Sequence, residues 1–370
     1  MKSRLARLAV RVGCLFFGLP LVHAQDLRIG VIGDQTLAPA SGNQYEILKA
    51  GVAALNRENP DIVLHTGDLL EGLGPDYVHP VSSEVYTAAF HSATGILNGL
   101  SRPWRLTAGD HDVNPPFGSP GDDSIRRLFQ TLYAPAREHL YYSFDFHGYH
   151  FVALSSQESP NADPRWGVVF RSHISPEQLE WLKSDLRRHA GRAHGTVVFL
   201  HQPLWYQWAD WAPVHDLLRK AGVAAVIAGH FHYNQDEGEL DGIRYVVVGA
   251  TGAVTKSGSA EAGDLQHVTV IRIHGHQVRG LNLIPLRNEG VHSFSSRRDM
   301  DRIQALAVNL GNYFNDTGMN SNRVKQVESV NQWKSFREGL VRRLSRLTCR
   351  VVSTRWPRLL FGPKQQQLEK

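Results

Sequence analysis

The chain has 370 residues, 42% of them hydrophobic and 20% charged, which excludes a disordered chain and suits one large domain or two small ones. Its formal charge is +5, yet residues 321–370 alone carry twelve Lys and Arg against three Glu, and residues 1–24 add four more cations, so the body between them stands at −8. The sequence pI of about 9.2 therefore belongs to the two ends and is no argument for a nucleic-acid partner, which an acidic body repels.

The chain opens with Lys2, Arg4, Arg7 and Arg11 and no acid, then an apolar run over 12–22, then the small residues of Val22-His23-Ala24. This is the pattern of a signal peptide, residues 1–24, cleaved after Ala24, and the expected location is periplasmic or secreted. The apolar run is shorter than the roughly 20 residues that span a bilayer, and Pro20 interrupts it. Cleavage removes Cys14 and leaves Cys349 alone, so no internal disulfide is expected and the fold must rest on its core.

From residue 27 to 255 one local pattern repeats: a short apolar, β-branched run ends in a Gly, Asp or His cluster. Residues 27–32 precede Gly33-Asp34, 62–64 precede Gly67-Asp68, and 104–106 precede Gly109-Asp110. Residues 197–200 precede His201, 224–227 precede Gly229-His230, and 245–248 precede Gly249. Such runs predict strands buried on both faces. Helices are expected between them, over 45–56, from the N-cap Ser175 with Pro176 in the first turn, and over 211–221. Residues 141–146 and 149–155 predict an antiparallel hairpin turning at His147-Gly148. Strands alternating with helices give an α/β fold with partly parallel sheets. The main domain is assigned to 25–290. Residues 291–370 read as a basic, partly helical extension, with helices expected over 302–310 and 332–347.

In open α/β sheets, ligands bind outside the carboxyl ends of the strands. Every expected strand end but the last delivers a metal-competent side chain: Asp34, Asp68, Asp110, His201, then His230 and His232. Carboxylates mixed with imidazoles suit Mn, Fe or Zn ions rather than calcium. A single Gly-Asp after an apolar run is ordinarily a turn. Five clusters in the order Asp, Asp, Asp-His-Asp, His, His-x-His are a ligand set.

That order resembles the calcineurin-like metallophosphoesterase superfamily. Its blocks stand here as Gly33-Asp34, Gly67-Asp68, Gly109-Asp110-His111-Asp112, Val198-Phe199-Leu200-His201 and Gly229-His230-Phe231-His232. The last two blocks, with 141–146 and 177–182, are most similar to the purple acid phosphatase branch. The resemblance implies a four-layer α/β/β/α sandwich of two mixed sheets. It implies two divalent ions, with Asp68 shared, Asp34 and His232 on one, and Asp110, His201 and His230 on the other. It implies hydrolysis of a phosphoric mono- or diester by a metal-activated water, on a phosphorylated small molecule or a phosphodiester. His111 is then the catalytic residue, a proton donor or a contact to phosphate, and Asp112 its orienting carboxylate.

Two positions depart from the family pattern. Thr36 stands where His is usual, so the first metal is expected to be held more weakly or to take Glu71, or less readily Gln35, as a replacement ligand. Asp110 stands where Asn is usual, and the extra negative charge favours a diester monoanion over a monoester dianion. These departures leave two rival readings: a degenerate member acting as an envelope binding protein, and a hydrolase with one metal. Other features have plainer alternatives. His65 reads as a core residue. Trp205, Trp208 and Trp211 fit either a substrate cleft or loop packing. Gly249-Ala250-Thr251-Gly252 is too short a glycine motif to indicate a dinucleotide site. The segment 321–370 suits either peripheral contact with an anionic membrane or packing on the domain.

Overall fold

The computed structural model describes residues 26–36, 42–74, 79–115, 121–158, 172–206, 208–255, 260–287 and 290–295. The expected signal peptide, the helices expected over 302–310 and 332–347, and the membrane contact through 321–370 all fall outside those residues.

Strand β1 (Asp26–Ile32) leads through α1 (Gly42–Glu58) to β2 (Ile62–His65). Then come α2 (Ser83–Leu97), β3 (Trp104–Leu106), the single turn α3 (Asp110–Val113) and α4 (Ser124–Leu132). The hairpin β4 (Tyr142–Phe146) and β5 (Tyr149–Ala153) is followed by α5 (Pro176–His189), β6 (Thr196–Phe199), α6 (Trp208–Lys220) and β7 (Val223–Ala228). Four strands close the fold: β8 (Gln235–Leu240), β9 (Ile243–Val247), β10 (His267–His274) and β11 (Gln277–Pro285).

The strands form two mixed sheets, ordered β11-β10-β1-β2-β3 and β4-β5-β6-β7-β9-β8. Within each, the central strands run parallel (β1-β2-β3 and β5-β6-β7-β9), and antiparallel strands flank them. The period of two in a strand sorts the side chains into layers. Leu27, Ile29 and Val31 of β1 and Ile62 and Leu64 of β2 pack against Phe151, Val197, Phe199 and Ile227 of the other sheet. Residues of opposite parity, such as Ile32 and Val63, pack beneath Leu48, Val52, Tyr86, Phe90 and Phe129 of α1, α2 and α4. Val198 and Val226 pack with Leu182, Leu186, Trp211 and Leu218 of α5 and α6. The result is the four-layer α/β/β/α sandwich.

Local chemistry explains the element ends. Ser175 Oγ accepts the Gln178 N–H at 3.1 Å, with Pro176 in the first turn of α5. His147 (φ 47°) and Gly148 (φ 79°) are both left-handed, which a two-residue hairpin of natural twist requires. Phe294 packs against the inter-sheet core, and the Ser295 N–H donates to Asn234 Oδ1 at 2.9 Å, so the chain stays on the domain to residue 295. No helix of the described residues is long and apolar enough to cross a membrane.

Candidate metal centre

The parallel strands of both sheets end at one rim, and five of those ends deliver the donors. From the five-stranded sheet come Asp34 after β1, Asp68 after β2 and Asp110 after β3. From the six-stranded sheet come His201 after β6, and His230 and His232 after β7. All six are buried. Asp34 (φ 55°), Asp68 (φ 56°), His230 (φ 73°) and His232 (φ 59°) hold left-handed backbone. For an L-residue this costs roughly 1–2 kcal/mol each, and its concentration here marks a rim shaped for function rather than for stability. A Cβ at Gly109 would run into the Asp68 carboxylate, and one at Gly229 into that of Asp34. These two glycines are needed for close approach.

The donors fall into two groups that share Asp68: Asp68, Asp110, His201 and His230 in one, and Asp34, Asp68 and His232 in the other. In the first, His201 Nε2 lies 2.8 Å from Asp110 Oδ1, 3.3 Å from Asp68 Oδ2 and 3.1 Å from His230 Nδ1. His230 Nδ1 is 3.0 Å from the same Asp110 oxygen. In the second, His232 Nε2 stands 3.8 Å from Asp34 Oδ1. The imidazoles are aimed from behind: His201 Nδ1 contacts the Thr66 carbonyl and His232 Nδ1 the Val254 carbonyl, each at 2.8 Å. That leaves each Nε2 to point into the cluster, as anchored metal-ligating histidines do.

Electrostatics show what the cluster lacks. Burial, with the nearby Asp68 charge adding to it and His201 opposing it, pushes the Asp34 carboxyl well above its ordinary range. Burial would also raise Asp110, but His230 and His201 outweigh it and hold that carboxyl well below. Burial would lower His201, yet Asp68 and Asp110 raise it well above the usual imidazole value. Asp34 Oδ2 is buried with no hydrogen-bond partner. Three crowded carboxylates, one with an orphaned oxygen, facing anchored imidazole nitrogens, fit cations.

The neighbours of His111 differ from the sequence expectation. Its ring Nδ1 lies 2.7 Å from Glu71 Oε2, not from Asp112. Asp112 is turned back by α3: its oxygens accept the Leu70 N–H at 2.9 Å and the Gly109 N–H at 2.8 Å. Burial, with Asp68 next, moves its carboxyl up to about 7. Glu71 in turn lies outside both donor groups, its other oxygen accepting the Leu73 N–H at 3.0 Å. In this structure it is the partner of the histidine. Thr36 is pinned by its N–H to the Asp68 carbonyl at 2.7 Å, and the Asp34 group is left with three side-chain donors against four. Gln202, which the sequence reading did not single out, donates to Asp110 Oδ1 at 3.3 Å. Its place directly after His201 was the available signal.

Trp205 and Trp211 are fully buried in the core between α6 and the six-stranded sheet and line no cleft. His65 is a core residue: its Nδ1 accepts the Gly67 N–H, and burial, with His201 second, takes it down to about 3. The glycine loop spends its N–H groups internally, Thr251 on the Gly33 carbonyl and Gly252 on Gln266.

The family model for calcineurin-like phosphoesterases matches residues 27–234, a span that contains all six donors and His111. The chain belongs to that family. A relative from Rhodococcus erythropolis (strain PR4 / NBRC 100887), a "probable cyclic nucleotide phosphodiesterase", is 27% identical over 226 residues, 58% of this chain and 65% of that protein. Purple acid phosphatase 21 of Arabidopsis thaliana is 31% identical over 149 residues, 36% of this chain and 30% of its own. The fold is that of the purple acid phosphatase PPD1 from yellow lupin seeds, with a TM-score of 0.50 and 16% identity over 76% of this chain and 55% of that one. This member of the family thus spans less than two thirds of the relatives it matches, and its likeness is to the purple acid phosphatase branch.

Proposed function

We propose that this phosphoesterase-family chain hydrolyses a phosphoric ester, with a diester preferred, using divalent ions held by Asp34, Asp68, Asp110, His201, His230 and His232. The observation that carries the reading is the pair of donor groups joined through Asp68 at one sheet rim. Bound there, two such ions supply charge neutralisation for the phosphoryl group and an activated water for its attack.

The protein's own groups do the rest. Asp68 belongs to both groups and sets their spacing. Its Oδ1 also accepts the His111 N–H at 3.0 Å, which ties the proton-handling residue to the metal-holding one. The Glu71 contact fixes the ring through Nδ1 and compensates a positive charge on it, so Nε2 can carry the proton that the leaving oxygen needs. Among the described residues, no lysine or arginine is buried. A monoester dianion therefore finds little to balance its second charge beside Asp110, whereas a diester carries one.

The test compares bis(4-nitrophenyl) phosphate with 4-nitrophenyl phosphate, which share a leaving group, on manganese-loaded full-length protein. Faster turnover of the diester is expected. A strong preference for the monoester would overturn the diester assignment. No metal uptake and no turnover of either would leave the binding-protein reading in place.

A further inference from the structure

At the opposite end of the six-stranded sheet a second histidine–carboxylate cluster stands apart from the rim just described. Strand β6 delivers His201 beyond its carboxyl end, whereas His150 pairs with Thr196 at the start of the same parallel pair. His150 is fully buried, and its Nε2 lies 2.8 Å from Asp185 Oδ2 on α5. That carboxylate also takes the Ser143 hydroxyl at 2.9 Å and Arg188 at 3.1 Å. His189, the last residue of α5, sets its Nδ1 2.9 Å from the Asp185 carbonyl oxygen. Each imidazole is thus anchored through one nitrogen by the same residue. The other two nitrogens face one carboxylate, Asp145 on β4: His150 Nδ1 is 2.8 Å from Oδ1, and His189 Nε2 is 3.7 Å from Oδ2.

We propose that Asp145, His150 and His189 form a separate zinc-class metal site that clamps the β4–β5 hairpin to α5. Two imidazoles and a carboxylate, with the far nitrogens tied to a carboxylate and a backbone carbonyl, are the donor and anchor pattern of such sites. The donor atoms already lie within 4.8 Å of one another. Tetrahedral N and O donors around zinc sit roughly 3.4 Å apart, so Asp145 must draw back slightly and His189 must swing out of its stack on His150. The rings are stacked at 3.7 Å. Both moving side chains reach solvent, at 62% and 26% exposure, while that of His150 is fully buried.

A proton competes for the same place. Burial opposes a charge on His150, but the contacts from Asp185 and Asp145 outweigh it and favour the imidazolium. Arg188 on Asp185 and the ring of His189 are the other titratable groups facing it.

The test is zinc content after equilibrium dialysis of the full chain at pH 8, for the native protein, His189→Gln, Asp145→Asn and Asp68→Asn. His189→Gln and Asp145→Asn are each expected to hold one zinc fewer than native protein and to keep its diester turnover. Asp68→Asn is expected to lose turnover yet keep the zinc that His189→Gln lacks. Equal zinc in native, His189→Gln and Asp145→Asn proteins would overturn the site, and would leave the reading of the catalytic rim untouched.

Discussion

The two sheets contribute opposite chemistry to one rim. The five-stranded sheet brings only carboxylates (Asp34, Asp68, Asp110), and the six-stranded sheet only imidazoles (His201, His230, His232). Neither half is a usable centre. Carboxylates alone would repel one another and suit hard oxygen-seeking ions, and imidazoles alone would carry no charge to hold an anion's counterpart in place. The centre exists because direct bonds stitch the rims together. The His230 N–H donates to Asp34 Oδ1 at 2.7 Å, and His201 Nδ1 reaches the Thr66 carbonyl of the other sheet. The difference teaches that sheet packing, more than any single strand, builds the metal centre.

The largest effect is expected from the donor that both groups share. Asp68→Asn should remove metal from both groups and lower turnover by on the order of 10³, whereas His232→Gln should empty only the Asp34 group. Metal content measured alongside turnover decides this, and equal metal loss in the two variants would break the division. A smaller gain is expected from restoring an imidazole on the carboxylate side. Thr36→His should tighten the weaker of two binding steps by about tenfold or more in calorimetric titration, because that group has three donors where its neighbour has four. An unchanged isotherm would show that the Asp34 group is already complete.

The smallest effect concerns the joint itself. His267 of β10 sits in the five-stranded sheet, and its Nε2 accepts the Gly249 N–H beyond β9 of the other sheet at 3.2 Å. Burial takes this imidazole down to about 4, against about 6.5 in an unfolded chain. The unfolded state binds the extra proton between those values, so this stability is complete above about pH 6.5 and is lost as pH falls toward 4. Urea midpoints measured over that range should fall more steeply for native protein than for His267→Gln. Parallel slopes would remove His267 from the joint.

Much of this centre was legible along the chain. Strands buried on both faces read as continuous apolar runs, and an Asp or His closing such a run marks a rim, so the six residues of the two donor groups could be named from spacing and resemblance. Strands β10 and β11 carry no such mark: β11 alternates half-buried apolar residues with exposed polar ones, and neither strand ends in a ligand. Adjacency in sequence makes Asp112 the expected partner of His111. The single turn of α3 points Asp112 at the Gly109 and Leu70 amides, while the loop after Asp68 carries Glu71 to the ring.

By itself the sequence determined which residue types stand at strand ends and in what order, since period, apolar run length and glycine placement are local properties of the chain. The tertiary structure alone decided that Glu71 rather than Asp112 meets the His111 ring, that Trp205 and Trp211 are core, and that a second pair of histidines gathers around Asp145. The physical reason is direction. Where a side chain points is set by the turn it sits on and by the sheet packed across from it, and neither is encoded in spacing.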